Sequence, residues 1–180
     1  MRVAVLSDIH ANRPALHAVL AAVDACRPTH VVVAGDIVNR GPQPRHCLET
    51  ILQRKRERAW QVLKGNHEDF VLLEAAAPGG RAKWEQLLYA HTHWTMDRLG
   101  EHLPGLRELP DRVVLEGPDG GELRFVHASM RSNRHGLYED MDEGDVGELI
   151  APAPRVLTVG HTHVPFVRAV GDVLVVNTGA

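Results

Sequence analysis

Five short clusters of polar side chains stand out in the sequence because each could help to bind a metal ion. Every cluster directly follows an apolar, strand-like run of residues. Any one of them alone could be an ordinary turn or a helix cap. Five together, all at strand ends, are what a metal site built along one edge of a sheet requires. The clusters are Asp8-Ile9-His10, Gly35-Asp36 with Asn39-Arg40-Gly41, Gly65-Asn66-His67-Glu68, His127, and Gly160-His161-Thr162-His163.

The chemistry of these side chains narrows the kind of metal. Four imidazoles, two carboxylates and one carboxamide without a thiolate favour borderline or hard divalent ions. We therefore expect two divalent ions, Mn foremost, with Fe, Zn, Ni or Co as alternatives. One ion cannot use so many donors, whereas two ions about 3.5–4 Å apart can share a carboxylate. Two dications against two aspartates leave net positive charge, so the pattern predicts a hydrolytic centre that attracts an anion and holds a hydroxide between the metals.

The first third of the chain predicts the elements that bring the clusters together. Apolar runs at 2–6, 30–34 and 59–63 are typical of buried strands. Apolar stripes at helical spacing lie between them, one after the capping residue Asn12 and one around Leu48. This strand, helix, strand, helix, strand order predicts parallel strands whose following loops meet at one edge of the sheet. Ligands bind at that edge in open α/β sheets.

The rest of the chain predicts helices and then hairpins. Helices are expected over 70–77 and 81–99, separated by Pro78-Gly79-Gly80. Two hairpins are expected, 113–116 with 122–127 and 164–170 with 173–177, because glycine-containing turns join each pair of apolar runs. A polar loop over 131–144 leads to a short helix at 146–150. We interpret residues 1–180 as one domain with a helical insertion at about 70–103.

Composition excludes several classes of protein. The 180 residues are 44% apolar and 24% charged, which suits one globular domain. A net charge of -3 provides neither a basic field for nucleic acid nor an acidic tail, so we expect no specific nucleic-acid binding. No apolar run approaches the roughly 18 residues that span a bilayer, and acidic Asp8 comes too early for a signal peptide. Because the two cysteines show no pairing pattern, we expect a reducing, cytoplasmic location without membrane association.

The clusters together resemble the calcineurin-like metallophosphoesterase superfamily. Its pattern D-x-H, G-D-x-x-x-R-G, G-N-H-[DE], H and G-H-x-H is matched in order from Asp8 to His163. The resemblance implies an α/β fold, a four-layer αββα sandwich of two mixed sheets packed face to face. Members of the family continue into further strands after a block such as Asn177-Thr178-Gly179, so the resemblance raises the expectation that this chain is C-terminally truncated.

The resemblance also implies a role for each site residue. His67 resembles the general acid that protonates the leaving oxygen, and Arg40 can hold two phosphate oxygens through its planar guanidinium. Glu68 either orients His67 or caps the following helix. The metal ligands implied are Asp8, His10 and His163 for one ion, Asn66, His127 and His161 for the other, and Asp36 as the bridge.

The implied function is a metal-dependent phosphoesterase that hydrolyses phosphodiester or phosphomonoester bonds of a small substrate. Asn39 and Lys64 stand where serine/threonine protein phosphatases of this superfamily have Asp and Arg, and G-H-T-H is closer to its phosphodiesterases. A serine/threonine-type protein phosphatase and a dinucleoside polyphosphate hydrolase are the alternatives. A different class of function would be a catalytically silent protein-binding scaffold. Loss of His67 or of metal ligands would mark a scaffold, and the sequence retains all of them.

Overall fold

Two sheets organise the computed structural model, which describes residues 1–77 and 82–180. The first sheet has the order β1-β2-β3, and its three strands are parallel. A helix makes each connection, so the alternation predicted from the sequence is confirmed. The elements are β1 (Val3–Leu6), α1 (Arg13–Cys26), β2 (His30–Ala34), α2 (Pro44–Arg58) and β3 (Gln61–Leu63).

Helix α1 shows how local sequence produces these elements. The Asn12 side chain accepts a hydrogen bond from the backbone N–H of Ala15 at 3.2 Å, which caps the helix N-terminus. Leu16, Leu20 and Val23 recur at helical spacing and are buried. Burial of each such side chain stabilises the fold by roughly 1.5–3 kcal/mol, which holds α1 against the first sheet.

The second sheet is mixed and contains both predicted hairpins. Its order is β4-β5-β6-β8-β7, with antiparallel pairs β4/β5 and β7/β8 and parallel pairs β5/β6 and β6/β8. A helix, α7 (Glu143–Ile150), precedes β6. The strands are β4 (Arg112–Glu116), β5 (Glu122–Val126), β6 (Val156–Val159), β7 (Phe166–Val170) and β8 (Val173–Asn177).

Within the described residues, four α-helices and one short 3₁₀ helix (Gly100–His102) join the two sheets. The α-helices are α3 (Asn66–Ala76), α4 (Lys83–Leu88), α5 (Ala90–Leu99) and α6 (Leu103–Arg107). The prediction of one helix over 81–99 is wrong, because the backbone at Tyr89 has ψ 9° and ends α4 before α5 begins. The predicted break at Pro78-Gly79-Gly80 lies outside the described residues. Among the helices described, none has the length and apolar character needed to cross a bilayer.

Three apolar clusters define the layers of the fold. Helices α1 and α2 pack on one face of the first sheet, where Val31 and Val33 point. The alternate residues of β2, Val32 and Ala34, face the second sheet and pack near Phe125. On the far side of the second sheet, α7 packs against β6 and β8. This arrangement confirms the αββα sandwich; only the second sheet is mixed, since helical crossovers keep every described strand of the first sheet parallel.

Candidate metal centre

The loops that follow the strands meet at one edge of the molecule. The chain after β1 contacts the chain after β2, through bonds from the Asp8 N–H to the Gly35 carbonyl (3.2 Å) and from the His10 N–H to the Asp36 carbonyl (2.8 Å). The second sheet joins them, because the His161 N–H donates to Asp8 Oδ2 at 2.9 Å. The two sheets thus present their strand ends to a common site.

Glycines make this close approach possible. A Cβ on Gly65 would lie 2.1 Å from Asp36 Oδ1, and a Cβ on Gly160 would lie 2.0 Å from Ser7 Oγ. No side chain larger than hydrogen fits at either position without moving these neighbours. The glycines in the predicted G-N-H and G-H-x-H clusters therefore let the metal-capable residues of different strands come into contact.

A first group of potential ligand atoms combines Asp8, His10 and His163, whose donor atoms all lie within 4.8 Å of one another. Asp8 Oδ1 is 3.2 Å from His163 Nε2. The Nε2 atoms of His10 and His163 are 3.1 Å apart. Ligands of one metal ion at about 2.0–2.2 Å from it lie at comparable mutual distances.

A second group lies beside the first and combines Asp36, His127 and His161. His127 Nε2 is 3.2 Å from Asp36 Oδ2 and 3.3 Å from His161 Nδ1. The Asn66 Oδ1 atom lies 2.9 Å and 3.0 Å from these two histidine nitrogens. Asp36 Oδ2 also lies 3.7 Å from His10 Nε2, so the same carboxylate oxygen borders both groups.

Hydrogen bonds orient Asp8, Asp36 and His127 so that one atom of each is left for a cation. Asp8 Oδ2 accepts bonds from Ser7 and His161, whereas its buried Oδ1 accepts none among the described residues. Asp36 Oδ1 accepts from the His67 N–H at 2.9 Å, which leaves Oδ2 between the histidines. The Nδ1–H of His127 donates to the Ala34 carbonyl at 2.8 Å, so its Nε2 faces the site. The residues present therefore fit divalent metal ions.

The charges within the groups also favour a bound cation. Burial raises the pKa of Asp36, but the hydrogen bond and charge of His127 outweigh burial and hold that pKa at about 2. Burial lowers the pKa of His127, whereas the hydrogen bond and charge of Asp36 raise it to about 9. The buried carboxylate of Asp36 therefore favours a positive charge beside it. A proton on His127 supplies that charge, and a bound metal ion could supply it instead.

The site loops carry most of the unusual backbone conformations of the described chain. All but two of its non-glycine residues with positive φ belong to these loops, and the two exceptions, Arg27 and Ala59, end α1 and α2. Such conformations cost on the order of 1 kcal/mol each and concentrate at functional sites. The loop residues are Asp8, His10, Ala11, Asp36, Asn39, Arg40, His161 and His163.

The predicted catalytic pair borders both groups, and His67 forms a third group of potential ligand atoms with His10 and Asp36. His67 is buried and lies edge-on to the His10 ring, with 4.9 Å between ring centres. Arg40 is exposed, and its Nε lies 3.0 Å from His67 Nε2. Burial lowers the pKa of His67 to about 4, against the charge of Asp36.

Glu68 has a role that the sequence only half predicts. It caps α3, since Oε2 accepts from the Gly65 N–H at 2.7 Å. It also accepts backbone N–H bonds from Asp36 and Ile37 at 2.8 Å and from Val38 at 3.1 Å. Its hydrogen bonds therefore join the loops after β2 and β3 and leave His67 to other partners. The capping position was visible in the sequence, but the long-range bonds were not.

The fold and the site define a class: a two-sheet α/β protein with candidate His/Asp metal-binding groups where the strand ends meet. This chain belongs to the calcineurin-like phosphoesterase superfamily, whose domain model matches residues 1–180. The match confirms the family inferred from the five clusters. Membership supports a hydrolase that acts on phosphate esters.

Individual proteins similar to this chain include one described as a metallophosphoesterase. An uncharacterised protein of Methanocaldococcus jannaschii is 31% identical over 188 residues, covering 98% of this chain and 68% of that protein. A metallophosphoesterase of Sphaerobacter thermophilus is 29% identical with a TM-score of 0.70, covering 100% of this chain and 76% of that one. A hypothetical protein of Pyrococcus horikoshii has a TM-score of 0.85 at 23% identity, covering 99% and 76% of the two chains.

Proposed function

We propose that this protein hydrolyses small phosphodiesters or phosphomonoesters with two divalent metal ions, of which Mn²⁺ is the first candidate. The observation that carries the proposal is the pair of ligand groups that border one carboxylate oxygen, Asp36 Oδ2. Asp8, His10 and His163 would hold one ion. Asn66, His127 and His161 would hold the other, with Asp36 between them.

The two ions would supply the positive charge that polarises the phosphoryl oxygens and lowers the pKa of a water molecule until it can attack phosphorus. The protein's own groups contribute the rest. Arg40 can bind two phosphate oxygens through its planar guanidinium, because its side chain is exposed beside the site. His67 is the proposed general acid: its protonated ring would donate the Nε2 proton to the leaving oxygen and become a neutral imidazole.

Space for a substrate adjoins the second ligand group. A cavity of about 790 Å³ borders His127 and is lined by residues from several parts of the chain, including Ser129 and Asn133. Arg112 and Arg131 line the same cavity and offer positive charge to an anionic ligand, although Asp69 and Asp111 also line it. The cavity is large enough for a small organic phosphate, which supports a small-molecule substrate.

The test is hydrolysis of an activated aryl phosphomonoester and the matching phosphodiester by metal-stripped protein. Mn²⁺, Zn²⁺, Ni²⁺, Co²⁺ or Mg²⁺ is added back, and bound metal is counted by elemental analysis. We expect turnover that requires metal, and Asp36→Asn should lose both turnover and metal. Asp172→Asn, in the exposed turn between β7 and β8, is the matched control. Protein that binds two ions and turns over neither ester would instead support the scaffold function.

A further inference from the structure

Two histidines outside the candidate metal centre meet between helices α1 and α2. His17 lies on α1 and His46 lies on α2, and their Nε2 atoms are 3.0 Å apart. The centres of the two rings are 5.3 Å apart, and the ring planes are tilted by 46°. Neither residue belongs to the ligand groups of the candidate centre. The pair is therefore another place where two imidazole nitrogens converge.

The geometry of this pair matches that of a histidine pair in the first ligand group. The Nε2 atoms of His10 and His163 are 3.1 Å apart, and their rings are 5.0 Å apart and tilted by 38°. Nitrogens that bind one tetrahedral ion at about 2.0–2.1 Å lie about 3.3 Å from each other. An ion between His17 and His46 therefore requires only a small rotation of the exposed His17 side chain.

The apolar core fixes the backbone beneath both histidines. Leu16 precedes His17 and Cys47 follows His46, and these two neighbours are 2% and 0% exposed within one apolar cluster. The histidine side chains themselves reach the surface, since His17 is exposed and His46 is half-buried. An ion can therefore enter from solvent without opening the fold. Ligands on a fixed backbone lose little freedom on binding, which favours the bound state.

The charges around the pair keep His46 in the form that binds a metal. Partial burial lowers the pKa of His46, and the charges of Arg13 and His17 lower it further, against the charge of Glu49. A metal ion binds only an unprotonated ring nitrogen, so the lowered pKa leaves that nitrogen available at neutral pH. Arg13 repels a cation here. Glu49 offsets that repulsion, because it stands three residues after His46 on the same face of α2.

The kind of donor selects the kind of metal. Imidazole binds Zn²⁺, Cu²⁺ and Ni²⁺ well, whereas Mn²⁺ prefers carboxylate and water oxygens and stands lowest in the series of divalent ions. The adjacent Cys47 offers no thiolate, because burial raises the pKa of its thiol to about 11. The pair therefore suits borderline ions and discriminates against Mn²⁺.

We propose that His17 and His46 bind one borderline divalent ion, Zn²⁺, Ni²⁺ or Cu²⁺, which cross-links α1 to α2. The ion joins the helices near their N-termini, whereas Asp24 on α1 accepts two hydrogen bonds of 3.1 Å from Arg54 on α2 near their other ends. Water completes the coordination of the ion. The pair shares no residue with the candidate centre, so its occupation does not depend on the proposed function.

Counting bound ions tests the proposal. Metal-stripped wild-type protein, His17→Gln and His46→Gln are dialysed against a series of Zn²⁺ or Mn²⁺ concentrations, and bound metal is measured by elemental analysis. We expect the wild-type protein to bind one Zn²⁺ more than either variant, and all three to bind equal amounts of Mn²⁺. His30→Gln is the matched control, since His30 is exposed at the start of β2. Equal Zn²⁺ binding by wild-type protein and His17→Gln, or the same loss in His30→Gln, would overturn the proposal.

Nuclear magnetic resonance shows whether one ion contacts both rings. In protein labelled with ¹⁵N-histidine, the two Gln variants identify the signals of His17 and His46. We expect Zn²⁺ to shift both Nε2 signals with a single midpoint and to leave no proton on either nitrogen. A proton that stays on one Nε2 in excess Zn²⁺ would mean that the rings only share a hydrogen bond, and the proposal would then be wrong.

Turnover with Mn²⁺ separates this site from the candidate centre. His17→Gln should hydrolyse the aryl esters at the wild-type rate, because His17 is not among the proposed ligands of that centre. If His17→Gln loses one Zn²⁺ and its turnover together, the lost ion belongs to the centre and the further site fails. If no variant and no wild-type protein turns over either ester while the difference of one Zn²⁺ persists, the proposed function fails and the further site stands.

Discussion

At the scale of single residues, Asp8 and Asp36 each use one carboxylate oxygen for hydrogen bonds within the protein and leave the other for a cation. One oxygen of Asp8 and one of Asp36 accept hydrogen bonds from the protein, which fixes the direction of the other. Backbone and hydroxyl donors therefore set the geometry of the site before any ion enters. This arrangement reduces the reorganisation that binding requires.

Substitutions of a proposed metal ligand and of the proposed acid should have different effects, because the ligand holds an ion and the acid protonates the leaving group. His161→Ala removes a donor of the second ligand group, so we expect it to lower metal content and activity together. His67→Ala should retain both ions and mainly impair esters with poor leaving groups. Elemental analysis beside the two ester assays checks this. A His67→Ala protein that has lost its metal would contradict the assignment of His67 as a group outside the ligand set.

We expect the Glu68 side chain to contribute more to the free energy of unfolding than an exposed glutamate side chain does. Glu68→Gln places an amide NH₂ against backbone N–H groups, so at least two buried hydrogen-bond donors face each other and lose their acceptor. We expect a loss of about 3 kcal/mol in the free energy of unfolding, since each unsatisfied buried group costs about 1–3 kcal/mol. Urea unfolding measures this. The exposed control Glu139→Gln should change stability by less than about 0.5 kcal/mol, and equal effects of the two would disprove the role.

At the scale of elements, the strands and their following loops were predictable for a simple reason. The continuous apolar run of β2 and the apolar stripe of α1 report burial directly, and parallel strands bring their carboxyl ends to one edge. The gathering of Asp8, Asp36 and Asn66 at this edge follows from that order. Hydrogen bonds between distant segments leave no such periodic signal. The Glu68 bonds to the loop after β2 and the Asn39 bonds to α5 therefore required the structure, as did the break at Tyr89.

Two glycines allow a matched test of how loop contact supports the site. Gly65→Ala would bring a Cβ within 2.1 Å of Asp36 Oδ1, so the carboxylate must move. We expect a loss of about 1–3 kcal/mol in stability and a lower metal content. Gly147→Ala, inside α7, meets no heavy atom within 4 Å and should stabilise by up to about 1 kcal/mol. Thermal unfolding with metal analysis distinguishes them, and full metal content in Gly65→Ala would refute the contact argument.

At the scale of the whole molecule, the site joins the two sheets. Asp8, Asp36 and Asn66 follow strands of the first sheet, whereas His127 and His161 follow strands of the second. Ions bound by ligands from both sheets would act as cross-links between them. The stability of the sandwich should therefore depend on metal as well as on its apolar core.

Metal binding should raise the melting temperature. At an ion concentration about 100 times Kd, binding to the native state alone contributes about 2.7 kcal/mol, or roughly 5–10 °C for a chain of this size. Calorimetry with Mn²⁺ and with chelator measures the difference. Asp36→Asn should melt at the same temperature in both conditions. Identical melting of the wild-type protein with Mn²⁺ and with chelator would argue against a metal centre.

The long separation of the ligands along the chain has a kinetic consequence. His10 and His163 are 153 residues apart, so the first ligand group forms only when a very long loop has closed. Because the entropy of loop closure must be overcome before such a contact stabilises the chain, we expect this one to form late in folding. Ions bound there would slow unfolding and leave the folding rate nearly unchanged. The loaded protein would then owe its persistence to a high barrier against opening, which rises with the stabilisation that the bound ions provide.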